Sequence, residues 1–359
     1  MDKNQTRIPV TLLTGFLGSG KTTIVNRLVR QPEMAGTLVI INEFGDIGLD
    51  HMLVAHSTDE AVVEMNGGCL CCTVRGDLVK TLRDIVWRFA RGGKRQFDRV
   101  LIETTGLADP VSILHVLMTH PDVTARYRLD GVATVVDMAT GGRALDAHPE
   151  AAKQIAVADC LLLTKSDLVS RQEAAKLIPR LQAINPLAGH LQVTQGNVDA
   201  AVFLSLERAG QGGGPPGIQA EAYALACDGH SHDGHSRHDG HSHDGHPHAG
   251  FHPHDGRVRA YSFVADEPVD ASRLDAWLEG LAASADRRIL RVKGIVNIVG
   301  RPRPMVVHGV QQLFHEPIDL ERWPGEDRRS RFVFIVQDLD AAAVANTFRN
   351  LVLVQPLRS

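Results

Sequence analysis

The chain has 359 residues, 43% of them hydrophobic and 22% charged. That is enough for two or three domains with ordinary cores, and it excludes global disorder. A formal charge of −4 and only 5% aromatic residues give no footprint for nucleic acid or an anionic membrane.

No basic leader followed by a long apolar stretch opens the sequence, and no apolar run reaches 18 residues, so neither a signal peptide nor a membrane span is expected. The expected location is the cytoplasm. Five cysteines, three of them within Cys69–Cys72, do not make a disulfide framework. Clustered thiols point to metal or redox chemistry in a reducing compartment.

In chain order, residues 8–14 (IPVTLLT) read as a strand ending at Gly15, followed by a helix from Lys21 to about Arg30. Thr37–Ile41 is a second strand. From Asp77, taken as the N-cap, Leu78, Leu82, Ile85, Val86 and Phe89 have helical spacing. Asp98–Ile102 is strand-like, and Asp109-Pro110 starts a helix with Asp as cap and Pro at the first position. Gly131–Val136 and Cys160–Leu163 are further strands. Alternating strands and helices predict an α/β unit at 7–205, a parallel sheet with helices on both faces.

Residues 206–256 are Gly/Pro-rich and then His-rich, with ten of the eighteen histidines between His230 and His254. Such a segment buries no core and is expected to be a flexible linker. Beyond it, strands at 261–264, 289–299, 305–310 and 332–336, with helices at 271–283 and 341–351, predict a smaller α+β domain at 257–355.

Gly15-Phe-Leu-Gly18-Ser19-Gly20-Lys21-Thr22 matches G-x-x-x-x-G-K-[ST] between a predicted strand and a predicted helix, the context of a P-loop. Its backbone N–H groups converge on phosphate oxygens, Lys21 reaches the β/γ-phosphates, and Thr22 ligates Mg²⁺. Further along, a hydrophobic strand ends in Glu103, an acid suited to the Mg²⁺ shell. Three residues later Gly106 can meet the γ-phosphate. At Thr164-Lys165-Ser166-Asp167, the Asp167 carboxylate can accept from both guanine N–H groups, a pair that adenine lacks. Lys165 would lie along the base. Thr164 stands where the usual signature has Asn.

Cys69, Cys71 and Cys72 are soft ligands suited to Zn²⁺ or Cu(I), and three protein ligands leave a position open for hand-over. A redox thiol cluster and buried structural cysteines are the competing readings. Cys160, in an apolar strand, reads as a core residue. His230, His232, His235, His241 and His243, with the rest of the tract, form a weak multivalent collector of Zn²⁺, Ni²⁺ or Co²⁺, or else a neutral hydrophilic linker. The acidic stretch 42–50 could sense Mg²⁺ or the γ-phosphate, and Glu43 is counted there as a candidate ligand.

These pieces together resemble the CobW-like family of P-loop (SIMIBI-class) GTPases, and within it the zinc chaperone subgroup. The matching strings are GFLGSGKTT (15–23), NEFGDIGLD (42–50), GGCLCC (67–72), ETTGLADP (103–110) and TKSD (164–167), with RVKG (291–294), HGV (308–310) and RFVFIV (331–336) in the smaller domain. The resemblance implies a GTPase, converting GTP and water to GDP and phosphate, that carries zinc on Cys69, Cys71 and Cys72 to client apoproteins. It implies that Gly18, Ser19, Gly20, Lys21, Thr22 and Thr23 cradle phosphate and Mg²⁺, with Lys21 and Glu103 catalytic. Glutamate at 103, where most other GTPases have aspartate, is a family hallmark. A cobalt chaperone linked to cobalamin biosynthesis, a His-rich zinc store with structural nucleotide, and a P-loop kinase or ATPase for a small molecule are the alternatives. A homodimer is a candidate assembly. The expected mechanism is a switch in which GTP and Mg²⁺ order 43–50 and 103–106 and so alter the thiols. A coupling of about 1–3 kcal/mol would change affinity roughly 5–150-fold.

Overall fold

The structure, a computed structural model, describes residues 7–41, 62–64, 73–204, 206, 258–284 and 286–352. The first unit contains β1 (Ile8–Gly15), α1 (Lys21–Leu28), β2 (Thr37–Ile41), β3 (Val62–Glu64), α2 (Thr73–Arg88), a small hairpin of β4 (Ala90–Arg91) and β5 (Lys94–Arg95), β6 (Arg99–Glu103), α3 (Pro110–Thr119) and α4 (Pro121–Thr124). It continues through β7 (Tyr127–Asp137), α5 (Gly141–Ala147), α6 (Pro149–Ala156), β8 (Cys160–Thr164), α7 (Arg171–Ile184), β9 (Gly189–Val193) and α8 (Ala200–Leu204). Seven of these strands form one sheet in the order β3-β2-β6-β1-β7-β8-β9, and every pairing in it is parallel.

Alternation along the strands divides the core between two faces. Ile8, Val10 and Leu12 of β1 pack with α2 and α3, whereas Leu13 faces the cluster that holds Ile24, Val25 and Leu28 of α1 and Phe203 of α8. On β8, Cys160 and Leu162 join that second cluster, while Leu161 and Leu163 meet α6 and α7. Helices therefore cover both faces, as a parallel sheet requires.

The second unit contains β10 (Val258–Ala265), α9 (Ala271–Ala283), β11 (Ile289–Val296), β12 (Met305–Val310), β13 (Leu313–Phe314), β14 (Ile318–Asp319), β15 (Ser330–Gln337) and α10 (Ala341–Val352). Its sheet runs β10-β15-β11-β12-β13, with β14 also on β12, and all its pairings are antiparallel. Phe332, Phe334 and Val336 of β15 pack beneath α9 and α10 around Trp277 and Phe348. Ile335, on the opposite face of the same strand, enters the cluster built on α6 and α7 of the first unit. The second sheet is thus covered by its own helices on one side and by the first unit on the other.

Two local readings change. Asp77 is not an N-cap: α2 begins at Thr73, so Asp77 lies inside the helix. β11 ends at Val296 rather than at residue 299, because the chain turns at Asn297–Gly300, where Gly300 takes φ 74. The cap at Asp109 is present, its side chain accepting from Val111 N at 3.0 Å. α7 and β9 have no strong apolar run. α7 does carry a capping box, with Ser170 and Glu173 satisfying each other's backbone N–H groups.

Candidate nucleotide site

β1 is the strand at which the sheet order reverses: β2, β3 and β6 lie to one side and β7, β8 and β9 to the other. In open α/β sheets the crevice beyond the carboxyl ends of the strands at such a point is the usual ligand site. The turn from β1 into α1 occupies it. Gly18 and Gly20 take φ of 70 and 99, left-handed conformations that a side chain would strain.

The candidate phosphate-binding residues form one connected group. Lys21 Nζ donates to the carbonyls of Gly15 and Phe16, at 3.0 and 3.2 Å, and so holds its charge inside the loop. Ser19 Oγ is buried and has no hydrogen-bond partner among the described residues. A buried hydroxyl left in this way fits a loop that completes its bonding with an incoming oxygen. Thr22 Oγ1 donates to Glu103 Oε1 at 2.7 Å, so the two candidate Mg²⁺ ligands meet although 81 residues separate them. Thr22 and Thr23 are exposed on the first turn of α1. An oxygen pair beside a glycine loop is hard-ligand chemistry suited to Mg²⁺.

The loop after β6 is braced against the P-loop. Thr104 Oγ1 donates to Thr14 Oγ1 at 2.8 Å. Gly106 approaches the P-loop so closely that a Cβ there would fall 2.5 Å from Leu17 N. The buried Gln154 of α6 donates to the carbonyls of Gly106 and Ala108, at 3.0 and 3.1 Å. Gln154 was absent from the sequence reading, because a polar residue inside a helix carries no motif.

On the other flank, Thr164 Oγ1 donates to the Ser19 carbonyl at 2.7 Å and to the Val136 carbonyl at 3.3 Å. A threonine in place of asparagine thus still ties β8 to the P-loop. Lys165, at φ 56, donates to the Gly18 carbonyl at 2.9 Å and to Asp137 Oδ2 at 2.8 Å. Burial works to raise the Asp137 carboxyl, but the bonds from Lys165, Thr140 and Ala139 outweigh it and hold the group below its ordinary value. Asp137 is a second residue that sequence reasoning missed. Its only signal was an acid at the end of an apolar strand. Asp167 is exposed at the same edge.

Cys69, Cys71, Cys72, Glu43 and the histidines at 230, 232, 235, 241 and 243 lie outside the described residues. Their flanks are described. In register, Leu13 of β1 stands opposite Glu103, Glu103 opposite Ile41, and Ile41 opposite Glu64. One row across four strands therefore carries the start of the 65–72 connection, the start of the segment after β2, Glu103 and the entry to the P-loop. Two strand spacings, about 10 Å, separate Glu64 from Glu103. Among the described residues no cluster of three or more His, Cys, Asp or Glu could hold a metal ion. Cys160 is fully buried in β8, and burial together with Asp159 pushes its thiol up to about 12, which makes it an inert core residue as expected.

Residues 9–192 match the family described as CobW/HypB/UreG, nucleotide-binding domain, and residues 258–352 match the Cobalamin synthesis protein cobW C-terminal domain. The chain is 30% identical over 344 residues to the zinc chaperone YjiA of Escherichia coli, covering 96% of this chain and 98% of that one. It is 32% identical over 381 aligned positions to the zinc chaperone CobW of Pseudomonas aeruginosa, covering 97% and 92%. The crystal structure of Zn(II)-bound YjiA GTPase from E. coli superposes with a TM-score of 0.63 at 27% identity, covering 96% of this chain and 99% of that one. With a P-loop at the reversal point of a parallel sheet and both domain matches in sequence, the chain belongs to the CobW/HypB/UreG family of nucleotide-binding proteins and carries the CobW C-terminal domain.

Proposed function

We propose that this protein is a GTP-hydrolysing metallochaperone that binds zinc through Cys69, Cys71 and Cys72 and passes it to client apoproteins, with hydrolysis driving release. The reading is supported by relatives named zinc chaperones and, in Schizosaccharomyces pombe, a zinc-regulated GTPase metalloprotein activator that matches 54% of this chain. The three-part division at 7–205, 206–256 and 257–355 belongs to the same proposal, with the His-rich segment collecting metal for the thiols.

The observation that carries the proposal is the row of register linking Glu103 to the strands that lead into 42–50 and 65–72. Lys21 and the Glu103–Gly106 loop would hold a γ-phosphate, and Glu103 itself stands two strands from Glu64, where the connection to the thiols starts. Bound Mg²⁺ would offset charge on the β- and γ-phosphates. Thr22 and Glu103 are the residues to hold it. Lys21 orients and neutralises the transferred group, Gly106 allows the close approach of its loop, and Asp167 selects guanine, with Thr164 and Lys165 fixing the strand end on which it sits. Catalysis by positioning and electrostatics needs no general base among them. Loss of the γ-phosphate relaxes the 103–106 loop, and the neighbouring strand ends transmit that change to the thiols.

The test is a competition titration of zinc against a chelator, with GDP and with a slowly hydrolysed GTP analogue. Wild type should differ in zinc affinity between the two nucleotides by about 5–150-fold. Cys71→Ser should lose tight binding, and a deletion of 228–255 should keep it. Equal affinity with both nucleotides defeats the coupled reading and leaves a zinc store. Tight stoichiometric binding that survives in Cys71→Ser but vanishes in the deletion moves the site to the histidines.

A further inference from the structure

The turn that follows Glu103 is held from behind by a helix outside every motif. Residues Thr105–Ala108 form a tight turn, closed by Ala108 N donating to the Thr105 carbonyl at 3.2 Å. Gly106 and Leu107 are its two central residues. On one side the turn lies against the P-loop, where a Cβ at 106 would strike the backbone of Leu17. On the other side stands Gln154 of α6, only 1% exposed. Its Nε2 donates to the Gly106 and Ala108 carbonyls at once. Two carbonyls facing one amide group require its nitrogen there, so the partners fix the orientation of the side chain. A trans peptide points its C=O and N–H in opposite directions. Holding the Gly106 carbonyl toward α6 therefore turns the Leu107 N–H away from that helix. One residue earlier, Lys153 Nζ reaches Asp109 Oδ2 at 3.2 Å, while Asp109 Oδ1 caps α3.

α6 is a fixed platform for these contacts. Thr134 Oγ1 of β7 donates to the Gln154 backbone carbonyl at 2.8 Å. The fully buried Asn185 donates through Nδ2 to the carbonyls of Ile155, Ala156 and Ala158, at 2.8, 3.2 and 2.9 Å. Ile155 and Ala156 share a cluster with Val258, Leu290 and Ile335 of the second unit. His148, just before the helix, lies against Phe16 of the P-loop with ring centroids 4.6 Å apart. Anchored in this way, α6 presents the Gln154 amide at a set place. Without that amide, two carbonyls of the turn lose their donor, and the turn is driven toward another arrangement. A misplacement of about 1 Å in a positioning contact can cost ~100-fold in rate.

We propose that Gln154 is a positioning residue for GTP hydrolysis: it holds the Thr105–Ala108 turn in the form that meets the γ-phosphate, without itself touching the nucleotide. The proposal rests on the hydrolysis reading above and is independent of the zinc reading. GDP has no γ-phosphate, so its affinity does not depend on the turn, whereas kcat does.

Phosphate release by the full chain with Mg²⁺, beside fluorescent-nucleotide titrations with GDP, tests this in wild type, Gln154→Leu and Gln154→Glu. Both variants should lose about 10–100-fold in kcat, with GDP affinity unchanged. Gln154→Glu adds a signature that a packing defect lacks. Its ionised carboxylate only accepts and repels both carbonyls, whereas the protonated carboxyl donates again to one of them. Burial raises such a carboxyl, so the rate of Gln154→Glu relative to wild type should rise as pH falls from about 8 to about 6. The relative rate of Gln154→Leu should stay level. Variants as fast as wild type overturn the proposal. So does a loss shared equally by kcat and GDP affinity, the mark of general damage to the fold, and so does a Gln154→Glu ratio that ignores pH. Should neither variant fold, the side-chain amide NMR signal of Gln154 in wild type decides. Slow exchange with solvent is expected with GDP and with a slowly hydrolysed GTP analogue, and rapid exchange with the analogue refutes the contact. Wild-type protein that releases no phosphate defeats the hydrolysis reading and this proposal with it, whereas turnover in wild type beside unaltered variants defeats the role of Gln154 alone.

Discussion

The two edges of the parallel sheet treat charge in opposite ways. At the carboxyl edge, Lys21, Thr22, Ser19 and Glu103 gather around a glycine loop, and the buried Ser19 hydroxyl has no partner among the described residues. At the amino edge, Asp159 is closed off by Arg291 and Lys293 and serves to join two units. Burial would raise the Asp159 carboxyl, but those two cations outweigh it and hold the group far below the carboxylate range. The first edge keeps bonding capacity for a ligand. The second has spent most of its capacity on the fold. A charged residue found at a strand end is therefore ambiguous until its partners are known.

The comparison breaks most visibly if Asp159 proves dispensable. Asp159→Ala leaves Arg291 and Lys293 buried without their carboxylate, and urea denaturation should show a loss of about 3–5 kcal/mol. At the other edge Glu103→Gln keeps the shape and removes the charge. Mg²⁺-dependent GTP hydrolysis should fall by about 10²–10³-fold, or ~3–4 kcal/mol in the barrier, with little change in melting temperature. If Glu103→Gln instead unfolds the protein while Asp159→Ala only slows hydrolysis, the assignment of the two edges is reversed.

Acid sharpens the contrast. His308 and His315 are held below their unfolded value of 6.5, so the unfolded chain binds more protons than the native one once pH falls beneath that value. Stability is then lost as pH drops, for His315 across the interval from 6.5 to about 4. Denaturation at pH 7 and pH 5 should differ by about 2–4 kcal/mol, and His308→Gln/His315→Gln should remove most of the difference, the half-buried His190 keeping a share. Asp159, with a depressed value, contributes fully above its unfolded value of 3.8 and gives way only in stronger acid, outside that interval. Smaller still is Thr164→Val, which deletes the bond to the Ser19 carbonyl. It should weaken nucleotide affinity by about 1 kcal/mol, roughly fivefold, in a fluorescent-nucleotide titration.

Much of the nucleotide edge was legible in the residues because its chemistry is local. A glycine loop between a strand and a helix needs its residues at a set spacing, and the Asp109-Pro110 start of α3 needs only its own backbone. Thr22 and Glu103 were each assigned to Mg²⁺ separately, and their meeting depends on β1 and β6 being neighbours. Asp137 and Gln154 escaped notice for a related reason: a polar residue acquires a role only when another element brings it a partner.

The sequence by itself determined the alternation of strands and helices, the P-loop, the TKSD strand end and the core status of Cys160, because hydrophobic period, backbone freedom and burial are carried over short stretches of chain. Only the tertiary structure decided that Asp159, Arg291, His308 and His315 line one cavity, with Lys293 bonded to Asp159 beside it. They are up to 156 positions apart, none belongs to a ligand-spacing motif, and their energies depend on a low-dielectric surrounding that exists only once the two sheets have packed together.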